Sequence, residues 1–256
     1  MSKLLFRLPT MCVILSCTSL AGSAPVEQDL LTKIQSANQA LYTDLHSFIC
    51  DERIQRFSGS LAGSQGRQID TVIAKVAFEK GQEHYTDIFR NKKKLTQISH
   101  LSGAWSQGEY GTLLQQTKDL LARKRIEFRQ NTVINGTAAS IYSFDVNEQE
   151  SPWQLIVHSQ SYNVPFRTYV WISNANAQIL KIARVSTGLP LETRVREVNW
   201  YITLEPTEMS GQTFLVPKTG QYAVLYTLGA ECDWNAITFS NYHRFGVETT
   251  LRFDGM

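Results

Sequence analysis

Residues 103–111, GAWSQGEYG, have types and a spacing that could support hydrolysis. Within them, Ala-Trp-Ser-Gln-Gly loosely matches the Gly-x-Ser-x-Gly elbow, a sharp strand-to-helix turn that presents a nucleophilic serine. Ser106 would be the nucleophile, and Glu109 would be a general acid or base. The elbow belongs to parallel sheets whose strands alternate with helices, and this sequence has no such alternation. A serine hydrolase using Ser106 is therefore the remotest of three functional hypotheses.

The same stretch is better explained as a junction between a strand and a helix. Its glycines permit backbone conformations that other residues avoid, and its tryptophan can bury its ring as an anchor. Glu109 and Thr112 are expected to satisfy free N–H groups at the start of the helix. The junction residues are Gly103, Trp105, Gly108, Glu109 and Gly111.

The other polar residues show no catalytic or metal-binding pattern. No two histidines have the spacing of metal ligands, and no Gly-rich phosphate loop lies beside a βαβ unit. Neighbouring acids such as Asp51 and Glu52 are common on strands and loops. We therefore predict no catalytic residue, no metal and no cofactor. The histidines are His46, His84, His100, His158 and His243.

Hydrophobic periodicity predicts two helices and roughly a dozen strands. Apolar residues recur at helical spacing over residues 26–47 and again over 112–123. The strand-like runs are separated by short turns such as Asn135-Gly136 and Thr219-Gly220, which join antiparallel neighbours. The sequence thus predicts an α+β, mostly β fold. A single domain over residues 25–256 would hold a large, curved antiparallel sheet, or incomplete barrel, with an N-terminal helix and a second helix near 112–123.

Several predicted strands carry apolar residues on both faces. Tyr169 and Trp171 share one face of their strand, whereas the adjacent Trp200 and Tyr201 point to opposite sides of theirs. One face of such a sheet can pack on helices, and the other must close on itself, either around a cavity or as a packed core. Candidate residues lining a hollow are Tyr169, Trp171, Trp200 and Tyr201, and only one of the last two can point inward.

The N-terminus has the pattern of an export signal. Lys3 and Arg7 precede an uncharged, largely apolar run, and small residues follow at 21–24. We predict that residues 1–24 are a signal peptide and that the protein is periplasmic or secreted, with no transmembrane helix in the mature chain. Cys17 lies in a loose lipobox, and lipid anchoring at this cysteine is a second, less favoured interpretation of the segment. Without the signal, the formal net charge of +2 falls to near zero, which argues against nucleic acid as a partner.

Two cysteines follow the signal segment. Cys50 and Cys232 lie near opposite ends of the mature chain. Because an exported protein reaches an oxidising compartment, we predict a disulfide between them. Such a bridge requires the two Cα atoms to lie within roughly 7 Å of each other.

Three phrases resemble the strand-turn-strand pairs of the periplasmic lipoprotein-carrier superfamily and of related exported bacterial proteins of unassigned role. They are VAFEKGQEHYTDI, VWISNANAQILKI and FSNYHRFGVETTLRF. The element order is similar too: an export signal, a helix, a curved sheet and a second helix. The resemblance implies an incomplete barrel whose apolar hollow holds acyl chains.

Two further hypotheses accompany this resemblance. The first is a non-enzymatic envelope protein that binds an apolar ligand, such as a lipid or an acylated protein, in the hollow. The alternative is a structural or interaction module that binds another envelope protein through a sheet edge, since an open sheet has edges to manage.

Overall fold

An antiparallel sheet of eleven strands forms most of the protein, as the sequence predicts. The computed structural model describes residues 28–44, 46, 48–60, 66–97, 101, 103–209, 211–228 and 231–244. The predicted signal segment, with Cys17, and most of the C-terminal phrase ending in LRF lie outside the described residues. No helix in the described part of the chain is both long and apolar enough to cross a membrane.

Three helices and thirteen strands make up the described part. The helices are α1 (Gln28–Ala37), α2 (Gln39–Asp44) and α3 (Thr112–Leu121). The strands are β1 (Phe48–Ser60), β2 (Arg67–Glu79), β3 (Gln82–Arg90), β4 (Lys93–Lys94), β5 (Glu127–Ile134), β6 (Thr137–Val146), β7 (Gln154–Val157), β8 (Gln160–Asn163), β9 (Phe166–Ser173), β10 (Ile179–Ser186), β11 (Val195–Met209), β12 (Gln212–Tyr226) and β13 (Glu231–Arg244). Short 3-10 turns lie at Glu148–Glu150 and Leu191–Thr193.

The strand order brings the two ends of the chain together in the middle of the sheet. It runs β4-β3-β2-β1-β13-β12-β11-β10-β9-β6-β5, and β7 and β8 form a separate hairpin. The first strand therefore pairs with the last, and β4 and β5 are the two edges. Every strand pairing among the described residues is antiparallel.

The turn predictions have mixed outcomes. Asn135 and Gly136, with φ of 48° and 79°, form the predicted hairpin between β5 and β6. The predicted turn at Thr219 and Gly220 is wrong, because β12 runs through both residues. A Cβ on Gly220 would lie 3.0 Å from the carbonyl oxygen of Tyr201, so the glycine allows a close strand approach instead.

The N-terminal helices pack on the face of the sheet that we call the inner face. The predicted single helix is divided at Asn38 into α1 and α2. Asn38 is buried: its amide nitrogen donates to the Ala177 carbonyl (3.0 Å), and its amide oxygen accepts from the Ile179 N–H (2.9 Å). These bonds fix the helix pair to the turn between β9 and β10.

The predicted disulfide is wrong. Cys50 and Cys232 are both free and buried. On the paired strands β1 and β13, Cys232 lies opposite Gly59, at the far end of β1 from Cys50. Strands rise about 3.3 Å per residue, so the two cysteines are separated by roughly 30 Å. The prediction rested on the oxidising compartment, which says nothing about distance, whereas the antiparallel pairing of β1 with β13 places the two cysteines at opposite ends of the pair.

Candidate functional site

Residues 103–121, which comprise GAWSQGEYG and α3, lie over the inner face, and we call them the plug. Tyr110, Leu113 and Leu114 are fully buried between the plug and the sheet. A Cβ on Gly111 would lie 2.4 Å from the Phe78 ring on β2, and one on Gly108 would lie 3.4 Å from a ring atom of Trp200 on β11. The plug therefore covers the inner face so closely that its glycine backbone lies directly against aromatic rings of the sheet.

A row of mostly polar side chains crosses the inner face below the plug. Its members lie directly opposite one another on consecutive strands, and all are buried. At one end, Arg56 forms a two-pronged ion pair with Asp70, at 2.7 and 2.6 Å. Arg90 donates to the same carboxylate at 2.6 Å. The row consists of Thr168, Arg184, Trp200, Tyr222, Asn235, Arg56 and Asp70.

Glu83 on β3 ties the plug to the sheet. Its carboxylate accepts hydrogen bonds from the backbone N–H groups of Gly108 (2.9 Å), Gly111 (2.7 Å) and Thr112 (3.1 Å). The Tyr85 hydroxyl donates to it as well. The expectation that Glu109 caps the helix is therefore wrong, because a carboxylate from a distant strand takes that position and complements the positive end of α3.

Two more carboxyl groups are buried beside Glu83. Burial, and then the charge of Glu83, raise the pKa of Glu109 to about 8. Burial also raises the pKa of Glu52 on β1, and the nearby Glu109 and Glu83 add to this effect. Both carboxyl oxygens of Glu52 and Oε2 of Glu109 have no hydrogen-bond partner among the described residues. These shifts favour the protonated form of Glu52 and Glu109 at neutral pH.

Ser106 lies in the plug without the surroundings of a nucleophile elbow. Its hydroxyl donates to Oε1 of Glu109, three residues along the chain. The elbow stands at the end of a strand in a parallel sheet, whereas the sheet described here is antiparallel throughout. The segment leads directly into α3 at Thr112, and β4, the described strand that precedes it, ends at Lys94.

Arg184 on β10 is a buried cation with no ion pair in the described part of the chain. Nη1 donates to Oε1 of Gln116 (2.7 Å) and Nη2 to Oγ1 of Thr117 (3.4 Å), both on α3. The guanidinium lies 4.6 Å from the ring centroid of Phe166 and 5.9 Å from that of Trp200. Burial lowers its pKa to about 9, so it is charged at neutral pH.

Sequence analysis missed Arg184, although a signal was present. In ILKIARVS the arginine shares the face of Ile182, which is fully buried. A charged residue in phase with buried apolar residues is rarely placed there without a partner.

The four candidate lining residues are divided between the two faces. Trp200 is buried on the inner face, with its ring 6.0 Å from that of Trp153. Tyr169, Trp171 and Tyr201 lie half-exposed on the opposite face. There the ammonium group of Lys181 lies 4.9 Å from the ring centroid of Trp171 and 4.2 Å from that of Tyr201.

A surface groove of about 700 Å³ lies between α1 and the β9–β10 turn. Leu30 and Lys33 line it from the helix, and Tyr142 and Ile172 line it from the sheet. No group of three or more His, Cys, Asp or Glu side chains within the described ranges is arranged to hold a metal ion.

Comparison with known proteins gives structural neighbours of low sequence identity. No protein-family model and no curated protein matches the chain. A DUF1329 family protein from Desulfovibrio piger is 9% identical, with 84% of this chain and 90% of that chain covered and a TM-score of 0.42. An outer membrane lipoprotein-sorting protein domain from Vibrio parahaemolyticus is 10% identical, covers 88% and 93%, and has a TM-score of 0.40. The lipoprotein LppX of Mycobacterium tuberculosis is 12% identical, covers 85% and 96%, and has a TM-score of 0.26.

Proposed function

We propose that the protein is an exported carrier that binds an acyl chain on the inner face of the sheet, in the space that the plug now occupies. The observation that carries this proposal is a concentration of unsatisfied polar atoms in the plug and on the inner face below it. Within the described residues, buried atoms without a hydrogen-bond partner belong to Glu52, Glu109, Tyr110, Thr168, Arg184 and Trp200, and on the other face to Asn199.

Such atoms are rare in a core that stays closed. Each buried donor or acceptor without a partner costs about 1–3 kcal/mol, and native proteins keep few of them. Here they gather in and beneath one segment, and their cost offsets part of the free energy that holds this segment closed. Movement of the plug would give these groups contact with water or a ligand. The arrangement is therefore that of a covering that can be displaced.

The surface that displacement would uncover suits an acyl chain. Phe166, Ile182, Ile202 and Phe239 are fully buried on the inner face. Transfer of apolar surface from water to such a face contributes about 25 cal/mol per Å². An alkyl chain could replace the leucines of α3 on this surface, because both present only apolar atoms to it.

A disulfide that locks the plug tests the proposal. The ideal Cβ position at Gly111 lies 2.8 Å from Cβ of Phe78, so a small adjustment reaches the separation of roughly 3.5–4.5 Å found in disulfides. We would introduce Phe78→Cys and Gly111→Cys together, in a chain carrying Cys50→Ala and Cys232→Ala. Binding of tritiated palmitate is then measured by equilibrium dialysis, before and after reduction.

A second disulfide on the same background is the matched control. Thr203 and Thr219 lie opposite each other on β11 and β12, with their hydroxyls 2.6 Å apart, away from the plug. We expect the plug lock to abolish palmitate binding until it is reduced, and the Thr203→Cys/Thr219→Cys lock to leave binding unchanged. Equal binding by the oxidised and reduced plug lock, or no binding by the unmodified protein, would overturn the proposal.

A binding module is the second candidate, because the edge strand β5 has an open side. Most of its side chains are exposed, and Val133 is 67% exposed. An open edge can pair with a strand from another protein. A photoreactive residue at Val133 allows crosslinking in cells. Capture of a specific envelope protein, without bound lipid, would support this function over the carrier.

A further inference from the structure

The buried guanidinium of Arg184 has no compensating charge. The side chain is fully buried, and within the described residues it makes no ion pair. Removing a charged group from water costs several kcal/mol unless an opposite charge or several hydrogen bonds replace the lost hydration. The other buried arginine of the same row, Arg56, has the carboxylate of Asp70 for this purpose. Arg184 has two neutral oxygens instead.

Arg184 and its two cross-strand neighbours each carry an unpartnered polar atom. Its own Nε has no partner among the described residues, and neither have Oγ1 of Thr168 and Nε1 of Trp200. These two residues are its direct cross-strand neighbours, on β9 and β11 respectively. Three adjacent strands thus offer hydrogen-bond donors to one place on the inner face.

The plug supplies oxygens to the guanidinium in the closed state. Oε1 of Gln116 lies 2.7 Å from Nη1, and Oγ1 of Thr117 lies 3.4 Å from Nη2. A carboxylate or phosphate presents two oxygens to a guanidinium in a similar way, and its negative charge makes the bonds stronger. The plug oxygens would therefore compete with an anionic ligand for one site.

We propose that Arg184, Thr168 and Trp200 form the head-group site of the carrier, and that they bind an oxyanion attached to an acyl chain. This inference rests on the proposed function and adds the class of ligand. The acyl chain would lie along the apolar inner face, and the carboxylate or phosphate would replace Gln116 and Thr117 on the guanidinium.

The test compares palmitate with methyl palmitate, which has the same chain and no charge. Arg184→Met keeps an unbranched, apolar side chain at this position and removes the guanidinium group with its charge. We expect the ratio of the two dissociation constants to shift by roughly ten- to hundredfold against palmitate, the effect of losing charge-assisted hydrogen bonds. Arg167→Met is the matched control, because Arg167 lies on β9 and pairs with Asp145 outside the site. It should leave the ratio unchanged.

A second variant separates ligand binding from a purely structural role of Arg184. Gln116→Ala removes the competing oxygen and leaves the guanidinium in place, so palmitate should bind roughly fivefold more tightly. If Arg184 only held the plug closed, Arg184→Met and Gln116→Ala would change palmitate binding in the same direction. Thermal unfolding of both variants shows that they are folded.

The probes also distinguish failure of this inference from failure of the carrier function. If the protein binds palmitate and methyl palmitate equally and Arg184→Met changes neither, the head-group site is wrong and the carrier stands. If neither binds, both are wrong. Comparing the dissociation constants of palmitate and a monoacyl phosphate shows which oxyanion the site prefers. Inorganic phosphate that binds as tightly as either lipid would assign the site to a free anion and overturn the head-group role.

Discussion

The Glu83 carboxylate accepts a 2.7 Å hydrogen bond from the backbone N–H of Gly111, although 28 residues separate the two along the chain. This bond and those from Gly108 and Thr112 hold the plug against β3. A carboxylate that accepts several backbone N–H groups makes charge-assisted hydrogen bonds, which are roughly twice as strong as neutral ones. Glu83 is thus the principal polar contact of the plug with this side of the sheet.

The first prediction concerns removal of that contact. Glu83→Ala leaves three backbone N–H groups of the plug without their acceptor and should lower the free energy of unfolding by about 2–4 kcal/mol. Amide hydrogen exchange should quicken more in residues 103–121 than in β9–β12. Glu79→Gln, at an exposed carboxylate on the neighbouring strand β2, is the control and should change neither quantity. A uniform rise in exchange across the sheet would show that Glu83 has no special role in the plug.

The second prediction is a pH dependence of stability that arises from Glu109. Its pKa is about 8 in the folded protein, against 4.5 for an ordinary glutamate. Between these values the folded state holds a proton that the unfolded state has lost, so the free energy of unfolding falls as pH rises through this window. The stabilising effect is complete below pH 4.5 and is lost near pH 8.

Glu109→Gln should remove this dependence. The variant should match the unmodified protein near pH 4.5 and become the more stable of the two above pH 8. A difference of 1 kcal/mol shifts the Tm of a domain of this size by roughly 2–4 °C, and we expect at least that at pH 9. Glu148→Gln, at an exposed position, provides the reference. Parallel curves of Tm against pH for Glu109→Gln and the unmodified protein would contradict the assignment of this pH dependence to Glu109.

Local patterns in the sequence predicted the elements that depend on neighbouring residues. Strand-like runs between turn signals indicated β2, β9 and β10, and helical periodicity indicated α3, whose start at Thr112 agrees with the structure. The hairpin of β7 and β8 was missed, because its turn uses His158 and Ser159 in left-handed conformations without a glycine. Turn signals identify residues that favour positive φ and not those forced into it by their context.

The site could not be predicted in the same way, because its contacts are long-range. Glu83 meets the plug from 28 residues away, and Arg184 meets Gln116 from 68 residues away. The row on the inner face depends on register across seven strands. The period of two fixes the face on which a side chain lies, but not which residue of the next strand lies opposite it. GAWSQGEYG was identified from its residue types, but the raised pKa of Glu109 depends on its own burial and on the charge of Glu83, which comes from a distant part of the sequence.

The third prediction tests the close approach of the plug to β2. Gly111→Ala would place a methyl carbon 2.4 Å from the Phe78 ring and should cost about 1–3 kcal/mol. Phe78→Ala removes the ring carbons that lie 2.4 and 2.5 Å from that methyl carbon, so the double variant should lose less stability than the sum of the single variants. Chemical denaturation measures the four free energies. Gly188→Ala, where the nearest atom lies 3.9 Å away, is the control. Additive costs would contradict the packing described for the plug.

The fourth prediction concerns the oxidation state of the two cysteines. Cys50 and Cys232 lie at opposite ends of paired strands, too far apart to bond to each other without unfolding the sheet. Burial, together with the charge of Glu52, raises the pKa of the Cys50 thiol, and burial raises that of Cys232. Because thiolates are the reactive form, both should react slowly with iodoacetamide in the folded protein. In denaturant without reductant, both should react completely.

Peptide mass spectrometry distinguishes this outcome from a disulfide. The peptides that contain Cys50 and Cys232 should each carry one alkyl group after denaturation, whether or not a reductant was added. The sample treated with reductant is the control for complete labelling. A crosslinked peptide pair, or labelling that appears only after reduction, would mean that β1 and β13 do not have the register described here. In that case the placement of Glu52 below the plug would also be wrong, since both depend on the same pairing of strands.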